Sequence, residues 1–209
     1  MKRIISFAVI AIFTALSFES KVHQRTSYLQ QGDAMATQIN QSQVAASKQL
    51  EKLFNEDQSD NRPYNTPEQR KESDERARQR INQVSEIVSK GLLQSADDYY
   101  HAAMVFQHGN KPNDYLTAHV LATVAGFKGH TWGNWLSAAS LDAFLLSMGR
   151  SQIMGTIYGK DNFQRYDKFL NDTIRKQYCV PPLEVQMKNE EFIEKRVGNF
   201  QRRAKECEN

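Results

Sequence analysis

Residues 131–150, TWGNWLSAASLDAFLLSMGR, decide the fold class, because they form a strongly periodic helical pattern that includes one carboxylate on its apolar side. Three serines, Ser137, Ser140 and Ser147, recur at helical spacing and mark one face of the helix. Asp142 lies on the other face, among apolar residues about three, four and seven positions away. Those residues are Trp135, Ala138, Ala139, Leu145 and Leu146. The pattern therefore predicts a helix that carries Asp142 into the protein interior.

Asp142 needs a polar partner if it is buried. An unpaired carboxylate in an apolar interior costs several kcal/mol or takes up a proton. We expect the donor to come from outside this helix, from Arg62, Gln107, His108 or Gln152. Arg62 is favoured because a guanidinium matches a carboxylate with two parallel hydrogen bonds and keeps it ionised.

The sequence before this stretch predicts a second buried carboxylate. A helix is expected from about Met35 to Asp57, where apolar residues recur on one stripe. Asp57 follows Leu50 and Leu53 on that stripe, so we expect it to face the interior as well. Residues 59–65 contain asparagine and proline and read as a loop.

Further helices are predicted from their start and stop signals. Residues 66–69, TPEQ, supply an N-cap, a proline in the first turn and a capping-box glutamine. Residues 95–98, SADD, resemble a capping box, and glycines end the helices that follow both signals. The predicted spans are 66–91, 95–109, 114–127 and 162–177.

These elements predict an all-α protein built as a single domain of antiparallel helical hairpins, because the connections between helices 95–148 are short. Alanines in this part allow the helices to approach closely, and their spacing loosely resembles tetratricopeptide or Sel1-like helical pairs. Near 151–159 the glycines and a short alternating stretch predict a β-turn or a small hairpin.

The N-terminus predicts export. Residues 1–17, MKRIISFAVIAIFTALS, have two cations, about 14 mostly apolar residues and a small-x-small exit, which is typical of a secretory signal peptide. An uncleaved anchor is the alternative, although the apolar run is shorter than the roughly 20 residues of a membrane span. We expect a flexible segment at 18–33 and one helical domain over 34–209, in the periplasm or secreted.

Two cysteines, Cys179 and Cys207, suit an oxidising compartment and predict a disulfide. The alternative is two free thiols. Neither cysteine has the CxxC spacing of a redox or zinc site.

The charge balance indicates no polyanionic partner. Removal of Lys2 and Arg3 with the leader lowers the formal net charge from +3 to +1, which gives no basis for nucleic-acid binding. We expect the protein to contact a membrane only transiently, through the signal peptide. The remaining partner class is a small molecule or a peptide.

The candidate site consists of polar residues at helix ends and on apolar faces. The candidates for catalysis are Asp57, His108 and Asp142, because two carboxylates in unlike environments can serve as acid and base. The candidates for binding are Gln58, Arg62, Gln107, Gln152 and Thr156. Each has an ordinary structural alternative as a helix-end or turn residue.

No cofactor or metal is expected. Four of the five histidines fall between His101 and His130, but His101 and His108 are two helical turns apart, about 10 Å along the axis, too far for one ion. The nucleophile elbow GxSxG, the phosphate-binding loop GxxxxGK[ST] and the dinucleotide-binding turn GxGxxG are all absent from the sequence.

Five short segments, DQSDNR, MVFQHG, SLDAF, GRSQIMGT and VPPLE, resemble an uncharacterised bacterial domain family of unknown function. The family's pattern is Asp-Gln with a nearby Arg, Gln-His at a helix end, Asp-Arg, and G-x-x-Q-x-x-G-T-Q, and the resemblance covers residues 50–184. The matching positions are Asp57, Gln58, Arg62, Gln107, His108, Asp142, Gln152, Gly155 and Thr156. Ala143 and Ile157 depart from the pattern, which implies that a catalytic pocket, if the family has one, is altered or degenerate here.

Two functions follow as hypotheses. The first is an exported protein with an enzyme-like polar pocket, of an amide- or glycoside-hydrolysing kind. The second is a helical module that binds a protein or peptide without catalysis, supported by the hairpin-like core and the absence of a catalytic signature. Convergence of Asp57, Arg62, His108, Asp142 and Gln152 on one concavity would favour the pocket, whereas their scatter would favour the module.

Overall fold

A computed structural model describes residues 4–60, 66–157 and 166–184, with side chains from residue 29 onward. The predicted all-α class is confirmed, and the described ranges contain no strand beyond one isolated parallel bridge between Gln152 and Tyr166. The helices of these ranges are α1 (Ile4–Asp60), α2 (Pro67–Ser89), α3 (Ala96–Gln107), α4 (Pro112–Phe127), α5 (Gly133–Ser147) and α6 (Asp172–Gln177).

Helix α1 is much longer than the sequence predicted. It begins at Ile4 and continues through residues 18–33, where we expected a flexible segment. No proline occurs before Pro63, and the one glycine, Gly32, has no neighbouring atoms that would conflict with a side chain. The Gln, Lys, Arg and Glu residues of this stretch are good helix formers, so nothing local ends the helix. The signal peptide over 1–17 stays a prediction.

The chain divides into two compact units, Met1–Ala45 and Ala46–Asn209. In the first unit the apolar residues of α1 with described side chains are exposed, as at Met35 and Ile39. Among the described residues, no helix is both long and apolar enough to cross a membrane. The domain start at residue 34 stays a prediction.

Helices α1 and α2 contribute matching stripes to the core of the second unit. On α1 the buried residues Ala46, Leu50 and Leu53 recur every three or four positions. On α2 the same spacing buries Val84 and Ile87. Thr66 starts α2 as predicted, because its side chain accepts a hydrogen bond from Gln69 N at 3.2 Å. These stripes place the polar ends of α1 and α2 next to each other.

Helix α4 packs against both of its sequence neighbours, α3 and α5. The approach between α4 and α5 depends on Gly126 and Gly133: a Cβ atom at Gly133 would lie 2.3 Å from the backbone N of Gly126. Helix α3 starts at the predicted capping box, in which Ser95 and Asp98 exchange hydrogen bonds. The packed neighbours agree with the short connections, but the tetratricopeptide or Sel1-like arrangement is not confirmed.

The chain after α5 differs from the prediction. The expected hairpin near 151–159 is not confirmed, and residues 158–165 lie outside the described residues. The predicted helix over 162–177 was wrong in its first part, because residues 166–171 are not helical and α6 begins only at Asp172. Asn171 starts it by accepting a hydrogen bond from Ile174 N at 3.1 Å.

The buried Arg175 holds this C-terminal segment together. Its guanidinium donates to the Tyr166 hydroxyl at 2.9 Å and to the carbonyl of Pro181 at 2.7 Å. Cys179 is buried beside it and has a left-handed backbone (φ 57°) at the end of α6. Cys207 lies outside the described residues, so the predicted disulfide stays a prediction.

Candidate functional site

Asp57 and His108 form the centre of the candidate site. Asp57 Oδ2 lies 2.5 Å from His108 Nδ1, and Gln58 Nε2 donates to the same oxygen at 3.1 Å. The Asp57 side chain is 1% exposed, as the stripe on α1 predicted, whereas His108 is 25% exposed. Asp57 comes from the last turn of α1 and His108 from the end of α3. A buried carboxylate thus orients an imidazole that remains accessible.

Arg80 joins Asp57 to a second carboxylate, Asp60. Its Nε atom lies 3.6 Å from Asp57 Oδ1, and its Nη1 donates to Asp60 Oδ2 at 2.8 Å. Arg76 donates to both oxygens of Asp60 at 2.8 Å. The hydrogen bond from Arg76, with further stabilisation by Arg80, lowers the pKa of Asp60 to about 2. Two arginines of α2 therefore hold the acidic end of α1.

A cavity of about 260 Å³ opens beside the Asp57–His108 pair. At roughly 30 Å³ per water molecule, this volume accommodates a small ligand together with water. The lining residues are Asp57, Asp60, Arg70, Ser73, Asp74, Ala77, Arg80 and His108. All of them except His108 come from the end of α1 and from residues 70–80 of α2, so the cavity belongs to one corner of the helical core.

Asp142 is buried as predicted, but the predicted donors were wrong. Its Oδ1 accepts from the backbone N of Ile153 at 2.8 Å and of Met154 at 2.9 Å. Its Oδ2 accepts from the N of Thr156 at 2.9 Å and from the Thr156 hydroxyl at 2.7 Å. The donors do come from outside the helix, but they are amides and a hydroxyl of one loop, so no oppositely charged partner is required.

The side chain of Gln152 makes two hydrogen bonds to the backbone of Ile157 at the other end of the loop that binds Asp142. Its side-chain amide donates to the carbonyl of Ile157 at 3.1 Å, and its side-chain oxygen accepts from the Ile157 N at 3.1 Å. Gly155 has a left-handed backbone (φ 71°), which a glycine adopts without strain. Thus the GRSQIMGT motif forms a loop that is tied to itself by Gln152 and to α5 by Asp142.

The predicted site residues fall into two groups. The structure brings Asp57, Gln58 and His108 together, and it brings Asp142 and Thr156 together in a separate buried contact with the loop that Gln152 closes. None of the described hydrogen bonds or ion pairs joins the two groups, and of the predicted residues that the structure describes only Asp57 and His108 line the cavity, so the described candidates do not converge on one concavity. Gln107 Oε1 is buried and has no hydrogen-bond partner among the described residues. Arg62 lies outside the described residues.

The residues that α2 contributes to the site were not predicted from the sequence. The buried residues Ser73 and Arg80 lie on the same stripe as Val84 and Ile87, at successive spacings of seven, four and three residues. Residues 68–80 are mostly charged, so the apolar stripe of α2 is obvious in the sequence only from Ile81 onward. Extension of that stripe toward the N-terminus would have marked Arg80 as buried, by the reasoning that identified Asp57 and Asp142.

The described histidines outside this pair take part in packing contacts. The His101 ring stacks on Phe54 with centroids 4.4 Å apart, and His130 stacks on Tyr100 at 3.8 Å. Burial lowers the pKa of both imidazoles. Within the described ranges, no three His, Cys, Asp or Glu side chains are grouped so that they could hold a metal ion.

Comparisons with protein-family models, with curated proteins and with solved structures gave no match to this chain. The resemblance to an uncharacterised bacterial family stays a prediction.

Proposed function

We propose that this chain is an exported bacterial protein whose Asp57–His108 pair performs hydrolytic proton transfer in the adjacent cavity. The observation that carries this proposal is the 2.5 Å contact between a buried carboxylate and a partly exposed imidazole at a cavity wall. The same relationship between carboxylate and imidazole serves hydrolases of several unrelated folds.

The different roles of Asp57 and His108 follow from how deeply each side chain is buried. Asp57 accepts the Nδ1 proton, which fixes the ring orientation and leaves Nε2 as the nitrogen that takes a proton from water. Arg80 lies on the other side of Asp57 and stabilises its negative charge. His108 then returns the proton to the leaving group. No covalent intermediate is required, because water is the nucleophile.

Asp142 has a structural role in this proposal. All four hydrogen bonds to its carboxylate come from the loop of residues 153–156. A fully buried carboxylate with these donors stabilises the loop, and the catalytic role considered for it from the sequence is assigned to Asp57 instead.

The direct test is hydrolysis of 4-nitrophenyl acetate and of chromogenic amide and glycoside panels by the full chain. We expect turnover above that of free imidazole, and a roughly 100- to 10,000-fold loss in the His108→Gln variant. Asp57→Asn should show a comparable loss. His119→Gln is the matched control, because His119 contacts Ser137 at the α4–α5 interface and does not line the cavity.

Wild-type turnover no faster than that of free imidazole, or full activity in His108→Gln, would refute the catalytic proposal.

Export has its own test, because the leader predicts a mature chain that begins near Phe18. N-terminal sequencing of exported protein that still begins at Met1 would instead favour the anchored form.

A second candidate function is a protein- or peptide-binding module. The observation that favours it is an exposed apolar stripe on α4, formed by Leu116, Val120 and Phe127, of which Phe127 is 88% exposed. Patches of this kind commonly mark binding surfaces. In this case the apolar dye ANS should bind the wild type, and the double variant Val120→Glu with Phe127→Glu should lose that binding without unfolding.

A further inference from the structure

The cavity beside the Asp57–His108 pair is lined by a cation that has no ion-pair partner among the described residues. Arg70 lines the cavity from the first turns of α2. Among the described residues no carboxylate lies within ion-pairing distance of its guanidinium, although Asp74, one helical turn later, lines the same cavity. The other aspartates of the wall, Asp57 and Asp60, are already bound by His108 and by the two arginines that hold Asp60.

Arg80 lines the same cavity, but its guanidinium is directed at the two carboxylates Asp57 and Asp60 of the wall. The Arg80 side chain is 7% exposed, and its buried Nε atom has no hydrogen-bond partner among the described residues. A buried N–H group without a partner costs about 1–3 kcal/mol. Nearly all such groups in folded proteins have a partner in protein, water or a ligand. The cavity therefore presents an accessible guanidinium at Arg70, and the Arg80 guanidinium is held in its wall against Asp57 and Asp60.

We propose that the cavity binds a carboxylate group of the substrate, with Arg70 as its direct contact and Arg80 supporting it from the wall. This inference rests on the proposed function and names the substrate class for it: a small amide or ester that carries a free carboxylate near the bond to be cleaved. A guanidinium holds a carboxylate through two parallel hydrogen bonds, and that contact also orients the neighbouring bond toward His108.

The charged residues of the cavity wall favour a ligand with one negative charge over a ligand with two. Asp57, Asp60 and Asp74 line the cavity together with Arg70 and Arg80, so a doubly charged phosphate meets more repulsion than a carboxylate does. The volume of about 260 Å³ lies at or below the lower end of ordinary ligand pockets, which fits an acyl amino acid better than a long chain.

The test is a binding titration of the full chain, followed through the His108 imidazole signals by NMR. The probes are N-acetylglycine, its uncharged N-methylamide, and inorganic phosphate. We expect N-acetylglycine to bind about tenfold more tightly than either of the other two, as one charge-assisted contact allows. The Arg70→Gln variant should lose that preference and bind the acid and the amide alike.

Arg78→Gln is the matched control, because Arg78 lies on the same helix, pairs with Glu75 and does not line the cavity. It should keep the preference for the acid. Equal binding of acid and amide by the wild type, or an unchanged preference in Arg70→Gln, would overturn the proposal. Tighter binding of phosphate than of N-acetylglycine would overturn the carboxylate assignment.

The outcome is separable from that of the proposed function. Binding of N-acetylglycine through Arg70, in a protein whose hydrolysis does not depend on His108, would support the anion site and refute the catalytic pair. Hydrolysis that depends on His108, combined with equal binding of acid and amide, would refute the anion site and leave the catalytic pair standing.

Discussion

Asp57 and His108 are separated by 51 residues in the sequence, yet their side chains meet at 2.5 Å between Oδ2 and Nδ1. The contact joins the end of α1 to the end of α3, and Arg80 of α2 supports it from the other side of Asp57. Three helices thus contribute one residue each to a polar centre at the edge of the core. A polar centre assembled from three elements requires those elements to be packed correctly before it exists.

Loss of the Asp142 carboxylate should destabilise the protein strongly. Asp142→Ala leaves three backbone amides and one hydroxyl without their acceptor, and each buried unsatisfied group costs about 1–3 kcal/mol. Partial access of water reduces the sum, so we expect a loss of about 3–5 kcal/mol in the free energy of unfolding. Urea denaturation measures it.

The control for Asp142 is Ser147→Ala, an exposed position on the same helix, where we expect a change within about 0.5 kcal/mol. If Asp142→Ala lowers the free energy of unfolding by less than about 1 kcal/mol, the four hydrogen bonds do not stabilise the loop and the structural role is refuted.

Close packing of α4 against α5 should not tolerate a side chain at Gly133. The Cβ atom of Gly133→Ala would lie 2.3 Å from the N and 2.6 Å from the Cα of Gly126, and backbone atoms cannot move aside independently. We expect a loss of about 1–3 kcal/mol or more, measured by thermal unfolding.

Gly32→Ala is the contrasting control, because no atom lies within 4 Å of an added Cβ and the site is inside α1. We expect a slight gain in helicity from this change, since alanine favours helix over glycine by about 1 kcal/mol. Equal stability of Gly133→Ala and the wild type would show that the two helices are not in close contact.

Stability should decrease as the solution becomes mildly acidic. Burial lowers the folded-state pKa of His101 and His130 below the usual 6.5, although nearby carboxylates such as Asp97 oppose the shift. The unfolded chain therefore takes up protons first, so this stability is complete above about pH 6.5 and is lost as the pH falls through the lowered folded pKa values.

The measurement is urea unfolding between pH 7.5 and 5, a window chosen above the range in which most carboxylates titrate. His101→Phe keeps a ring for stacking on Phe54 but cannot be protonated, so its stability should depend less steeply on pH. A wild-type protein that is equally stable across the window would contradict the prediction.

Cys179 and Cys207 should form a disulfide in the exported protein. Cys179 is buried next to α6, and closure of a loop of this length would stabilise the fold by about 3–4 kcal/mol in the chain-entropy model. Thiol titration of unfolded, unreduced protein should detect no free cysteine. Two titrating thiols would exclude the bridge, and titration after reduction provides the reference value.

Local sequence signals account for most of the helical core. The caps at Thr66 and Ser95 and the stripes through Leu50, Leu53, Val84 and Ile87 were readable from the sequence, because a helix is defined by contacts three and four residues apart. The same periodicity correctly marked Asp142 and Asp57 as buried. Arg80 continues the stripe of Val84 and Ile87 toward the N-terminus of α2, but it was not predicted to be buried.

The partners of these buried groups were decided only by the tertiary structure. A stripe says that Asp142 faces inward, but its donors are amides of a loop eleven to fourteen residues later, whose position depends on how the chain turns after α5. Likewise the stripe on α1 does not say what Asp57 contacts, and packing of α1 on α3 placed His108 there. Local periodicity in the sequence determines which side chains are buried. Which groups they then contact depends on the relative placement of helices and loops that are distant in the sequence.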